Sequence, residues 1–229
     1  LAQKLAELIA QSGVPDQAPV LVIGLGNRQA TPDALGPEVV DRILVTRHLY
    51  YYAPQVLGPG VRPVSALSPG VLGTTGIDTA DIIRGVVENI RPSLVIAVDA
   101  LVAQNIRRIG RTIQLANTGI SPGSGIGSRR GGLNIGSLGV PVVAIGVPTV
   151  VQAAVLIWEV AENLLGPGEQ NKTKEVAGKI LSPYGGSLTV TPKEIDTLVI
   201  SSARLISTGI NSTLHPNIPY HEYLGPGSL

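Results

Sequence analysis

The chain has 229 residues, 44% hydrophobic and 14% charged, with a formal net charge of +1. This fits one α/β domain able to bury a core, argues against disorder, and supplies no global field for nucleic acid or a membrane surface. Cysteine is absent, which removes thiol nucleophiles, disulfides and Cys-based zinc sites. Phe and Met are absent too, so Val, Ile, Leu and Ala must fill the core. Apolar runs are broken by Gly, Pro or charge well before the roughly 18 residues of a membrane span. With no signal peptide pattern at the start, the expectation is a soluble, cytoplasmic protein.

Leu1, Leu5, Leu8 and Ile9 recur at helical spacing, and Gly13 and Pro15 end that first helix. PVLVIGLG at 19–26 reads as a central parallel strand. DALGPEVVDRILVTRHLYYY, 33–52, is expected to be one helix with Pro37 in its first turn. A strand follows at 61–69. The amphipathic segment 77–90 is expected to aim Ile77, Ile82, Val86 and Ile90 at the core. LVIAVDA at 94–100 is the second strong buried strand, and RTIQLANTG at 111–119 is another. The Gly-rich stretch 121–132 is a loop. VPVVAIGVP at 140–148 is a strand followed by a helix over 149–165. Two more helices are expected over 172–181 and 193–210, with SLTVT at 187–191 as an edge strand. Strands and helices therefore alternate, as in a parallel or mixed sheet with helices on both faces. One domain over 1–229 is expected, with 1–18 as N-terminal helix and linker and 216–229 as a tail.

Two aspartates carry the chemistry. Asp33 follows the 19–26 strand by a short loop, and Asp99 comes directly after VIAV. Both are thus expected at the carboxyl edge of the sheet, where open α/β folds bind ligands. Sharing one water, such a pair can run acid/base hydrolysis, because one acid stays ionised while its neighbour holds a proton. The plainer alternatives are a helix-start carboxylate for Asp33 and a helix N-cap for Asp99. GLGN lacks the third glycine and the ribose acid of a dinucleotide fingerprint, so Gly24 and Gly26 read as turn formers. GSGIGSRRGG lacks the Lys-Ser/Thr of a P-loop. Asn117-Thr118-Gly119 carries an amide where pepsin-like proteases have their acid, and it receives no role. Asp78 and Asp81 read as first-turn acids. His48 reads as closing a helix. The three histidines form no HExxH arrangement.

GLGNRQATPDALGPEVVDRILVTRHL resembles the spore germination proteases of endospore-forming bacteria. So do VSALSPGVLGTTGIDTADII, VIAVDAL, NTGISPGSGIG, VPVVAIGVPTVV and VTPKEID, in the family's order from about Pro19 to about His215. The resemblance implies a cytoplasmic endopeptidase of the spore core that degrades small acid-soluble spore proteins, made as a homotetrameric zymogen. It also implies a three-layer α/β sandwich similar to the hydrogenase maturation proteases. The family's two carboxylates map onto Asp33 and Asp99, making them the expected catalytic pair of an atypical aspartic peptidase. Substrate binding is expected from Asn27 and, in the 121–132 loop, from Ser124, Arg129 and Arg130, whose charge favours acidic protein substrates. No cofactor and no metal are expected.

This chain departs from the family's pattern in several places. Asn117 and Ser121 replace an acid and a histidine, Gln152 replaces an aspartate, and the family's N-terminal propeptide region does not precede Leu1. Two alternatives stay open: a catalytically weakened relative that binds spore proteins as a scaffold, and a metal-assisted peptidase of the maturation type.

Overall fold

A computed structural model describes residues 1–121, 132–165 and 170–219. The helices are α1 (Ala2–Gln11), α2 (Leu35–Val40), α3 (Leu49–Tyr52), α4 (Leu72–Thr75), α5 (Thr79–Ile90), α6 (Ile135–Leu138), α7 (Ala153–Leu165), α8 (Gln170–Leu181) and α9 (Ile195–Leu214). The strands are β1 (Val20–Gly24), β2 (Val64–Leu67), β3 (Leu94–Ala103), β4 (Gln114–Ala116), β5 (Val142–Gln152) and β6 (Thr189–Val190). They form one sheet in the order β2-β1-β3-β5-β4, with β6 also paired to β5. β1, β2, β3 and β5 run parallel, while β4 and β6 pair antiparallel with β5.

Both faces of the sheet are covered, so its central strands are apolar without alternation. Val20, Val22, Leu94, Ile96 and Val98 pack on one face with α1, α2 and α9. Leu21, Ile23, Val95 and Ala97 pack on the other with α5 and α6. Each fully buried Val, Leu or Ile contributes about 1.5–3 kcal/mol, which lets aliphatic side chains replace the missing Phe and Met.

The segment expected as one helix over 33–52 is broken. Its helix α2 ends at Val40, and α3 begins only at Leu49. Between them the backbone finds partners elsewhere. The Asn211 side chain accepts from the Leu44 N–H at 3.0 Å and donates to the Arg42 carbonyl at 2.9 Å. The Thr46 and Arg47 N–H groups both reach the Val64 carbonyl at 3.0 Å. His48 therefore opens α3 instead of closing a longer helix.

The helix expected from 149 starts at Ala153, because Thr149-Val150-Val151 is β-branched and stays in the sheet, where Val151 pairs with Val190. β5 thus runs through Pro148, which has no N–H to give; next to it the β3 register shifts between Leu101 and Val102. In α5 the buried residues are Thr79, Ala80, Ile83 and Val87, and Ile77 is exposed. The core face is thus rotated by about one residue from the expected one. Asp78 caps α5 by accepting from the Ala80 N–H at 2.8 Å, and Asp81 lies in its first turn. No helix among the described residues is long and apolar enough to cross a membrane.

Candidate active site

The chain leaves β1 toward β2 on one side, and β3 lies on the other side of β1. The carboxyl ends of β1 and β3 thus border a switch point, where the crevice of an open α/β sheet forms. The Leu25 N–H donates to the Val98 carbonyl at 2.8 Å, the last tie between them. Two glycine contacts then set the turn. A side chain at Gly24 would fall on the Gly36 carbonyl, so α2 rests directly on the end of β1. Gly26 has φ +113°, and a Cβ there would fall on the Asp33 carbonyl.

The turn closes on itself. Asn27 Oδ1 accepts from the Gln29 N–H at 3.0 Å, and the Asn27 carbonyl accepts from the Ala30 N–H at 3.1 Å. The Ala30 carbonyl accepts from the Asp33 N–H at 2.7 Å, and Asp33 Oδ2 accepts from the Asn27 N–H at 2.8 Å. Outside, Arg28 binds the Pro37 carbonyl at 3.1 Å and pairs with Asp41 at 2.6 Å. Asp33 sits on the 3-10 turn Thr31–Asp33, and its side chain gives α2 no cap bond. Its carboxylate thus accepts a backbone N–H at the start of a helical segment, as the helix-start alternative expects, but caps neither its own turn nor α2.

Asp99 is not past its strand but inside it, paired with Gly146 of β5. The β1 ladder ends one residue earlier, at Gly24 beside Val98, so from Asp99 onward β3 has a strand on one side only. That disposes of the N-cap alternative. Asp99 is 7% exposed, and its Oδ1 accepts from the Ala100 N–H at 2.9 Å.

Asp33 and Asp99 line one cleft of about 610 Å³, floored by residues 99–104 of β3 and its continuation and 148–150 of β5. Burial, and then the charge of Asp33, push the Asp99 carboxyl up to about 7, against the opposing Ala100 N–H. Burial also raises Asp33, and the Asn27 N–H holds it back. The two acids therefore favour a state with one proton between them near neutral pH. Such a pair can accept a proton from water and donate one to a carbonyl.

Of the other expected site residues, Asn27 is not among the side chains lining the cleft; its oxygen is spent on the turn that holds Asp33. Ser124, Arg129 and Arg130 lie outside the described residues. Ser121 lines the cleft, whereas Asn117 and Gln152 do not. Arg108, Gln104, Thr149 and Thr189 also line it, and sequence reading passed over them. Arg108 had a usable signal, an arginine cluster directly after the Asp99 strand. Thr189 had none, because only the β5–β6 pairing brings it there. His215 is buried elsewhere, its Nδ1 facing the Arg62 N–H at 3.4 Å. Among the described residues, no three His, Asp or Glu side chains gather as a metal-ligand set.

The chain is 44% identical over 242 residues to the germination protease of Clostridium tetani, covering 96% of this chain and 75% of that protein. It is 47% identical over 240 residues to that of Caldanaerobacter subterraneus, covering 97% and 74%. A solved NiFe hydrogenase maturation protease from Thermococcus kodakarensis is similar over 90% of this chain and 98% of its own, at 17% identity and TM-score 0.44. The germination protease family profile matches residues 1–166 and 159–223. With nearly its whole length matched, this chain belongs to the germination protease family of peptidases.

Proposed function

We propose that this chain is an endopeptidase that hydrolyses small acid-soluble spore proteins in the spore core, with Asp33 and Asp99 activating one water. The observation that carries the reading is the pair itself: two carboxyls on one cleft, with Asp99 raised to about 7 by burial and by its neighbour's charge. The Asn27 N–H favours the ionised form of Asp33, and the deeper burial of Asp99 favours its neutral form.

Asp33 is accordingly the base. It takes a proton from water as the oxygen attacks the scissile carbonyl carbon, and Asp99 gives its proton to the carbonyl oxygen. In the collapse of the resulting diol, Asp99 recovers a proton from one hydroxyl. Asp33 passes its own to the departing amine nitrogen, which restores the starting state. Ser124, Arg129 and Arg130 belong to this proposal as substrate contacts, on the strength of the sequence alone. So does a homo-oligomer, a tetramer by the family resemblance. Exposed Trp158, Val160 and Leu164 on α7 support assembly, and sedimentation checks it.

Asp33→Asn and Asp99→Asn are each expected to lower kcat/KM on an acidic spore protein by about 10²–10⁴, the usual worth of a general acid or base. Gel analysis of the fragments and a thermal melt test this together. Undiminished cleavage in either folded variant would refute the pair.

A further inference from the structure

We propose that Arg108 binds a carboxylate side chain of the substrate peptide and thereby selects acidic segments for cleavage. The inference rests on the peptidase reading above and names the residue that reads the substrate. Among the described residues lining the cleft, Arg108 is the one cationic side chain. It belongs to the 3-10 turn Ile106–Arg108, which directly follows β3 and carries Arg107 beside it, with Arg111 just beyond.

Three arginines elsewhere among the described residues are spent in ion pairs. Arg28 pairs with Asp41 and Glu38, Arg42 with Glu38, and Arg84 with Asp81. The Arg108 guanidinium makes no ion pair or side-chain hydrogen bond with any described residue; its backbone alone is engaged, the N–H by the Asn105 carbonyl at 3.1 Å and the carbonyl by the Arg111 N–H at 3.1 Å and Thr112 Oγ1 at 3.4 Å. Glu159 of α7 accepts from the Ile106 N–H of the same turn at 3.4 Å.

The cleft floor links this cation to the acids. Residues 99–104 lead from Asp99 toward Arg108 along the part of β3 that has lost β1 as a neighbour. At about 3.3 Å per residue, Asp99 to Ala103 spans about 13 Å, the length of roughly four residues of an extended peptide. A peptide laid along this floor with its scissile bond at the acids therefore presents a side chain within a few positions to Arg108.

A guanidinium favours a carboxylate there for two reasons. Its fork of N–H donors matches two carboxylate oxygens, and the covering peptide removes the water that screens an exposed cation. Arg108 also offsets the charge left on the catalytic pair, which by itself would repel an acidic peptide.

The test pairs binding with cleavage. Fluorescence anisotropy follows labelled peptides from an acidic spore protein, each Glu or Asp replaced in turn by Gln or Asn and by Lys, with amidated and free C-termini. The chain is used as parent, Arg108→Ala, Arg108→Glu and Arg107→Ala, each checked by thermal melt. The parent is expected to lose about tenfold in affinity when one acidic position is neutralised. Arg108→Ala should lose that discrimination, Arg108→Glu should prefer Lys at that position, and Arg107→Ala should keep the parent's preference. Equal weakening of acidic and neutral peptides by Arg108→Ala overturns the proposal. So does the same effect from Arg107→Ala, or dependence on the terminal carboxylate alone. Because binding is read separately, discrimination without cleavage would sink the hydrolytic reading and leave Arg108 standing.

Discussion

Asp99 links the chemistry of the site to the stability of the fold. Its carboxyl stays neutral in the folded chain up to about pH 7, but in the unfolded chain it ionises from about pH 4. Between those values the folded state binds more protons, so rising pH erodes stability, and the loss is complete above about pH 7. Asp99→Asn removes this dependence. Its stability relative to the parent should therefore rise with pH, by on the order of 3–4 kcal/mol between pH 4 and pH 8, read from urea midpoints at each pH. On the proposed mechanism kcat/KM should likewise fall as pH passes about 7 and Asp99 gives up its proton, read from a pH–rate profile. Gly26 tests the supporting turn. Its φ of +113° and the Asp33 carbonyl beside it leave no room for a Cβ, so Gly26→Ala should cost about 1–3 kcal/mol in the melt and displace Asp33 enough to depress cleavage. Both aspartates were legible in the sequence, because each follows an apolar run long enough to be a buried strand. The depth of Asp99 was not legible. It depends on where β1 stops beside β3, a register that local sequence does not encode.

At the scale of elements, Asn211 holds together what helix periodicity would have kept as one helix. Its amide serves the Leu44 N–H and the Arg42 carbonyl from α9, 167 and 169 residues away along the chain. Asn211→Ala leaves both part-buried groups without that partner and should destabilise the fold by about 1–3 kcal/mol, seen as a lower urea midpoint with an unchanged slope. The apolar pattern over 33–52 looked helical because it suits a chain packed on α9 in either conformation. What decides is an amide supplied from afar. The opposite error, at 149–152, was open to correction from the sequence: three β-branched residues in a row favour strand over helix, and β6 is there to pair with them.

Across the whole molecule, the alternation of strands and helices gave away the layered architecture, and the site followed from the rule that ligands bind where strand order reverses. Thr189 from β6 depended on associations between distant segments and stayed hidden, whereas Arg108 follows the Asp99 strand closely in the chain. One of those distant associations sets an order on events. Helix α9 packs against α2 and against the 3-10 turn that carries Asp33, and its buried side chains complete that face of the core. A ribosome delivers α9 long after Asp33 and Asp99 have emerged. Until then the turn that holds Asp33 and that face of the core lack their packing partner, so a chain interrupted before α9 should hold the cleft loosely.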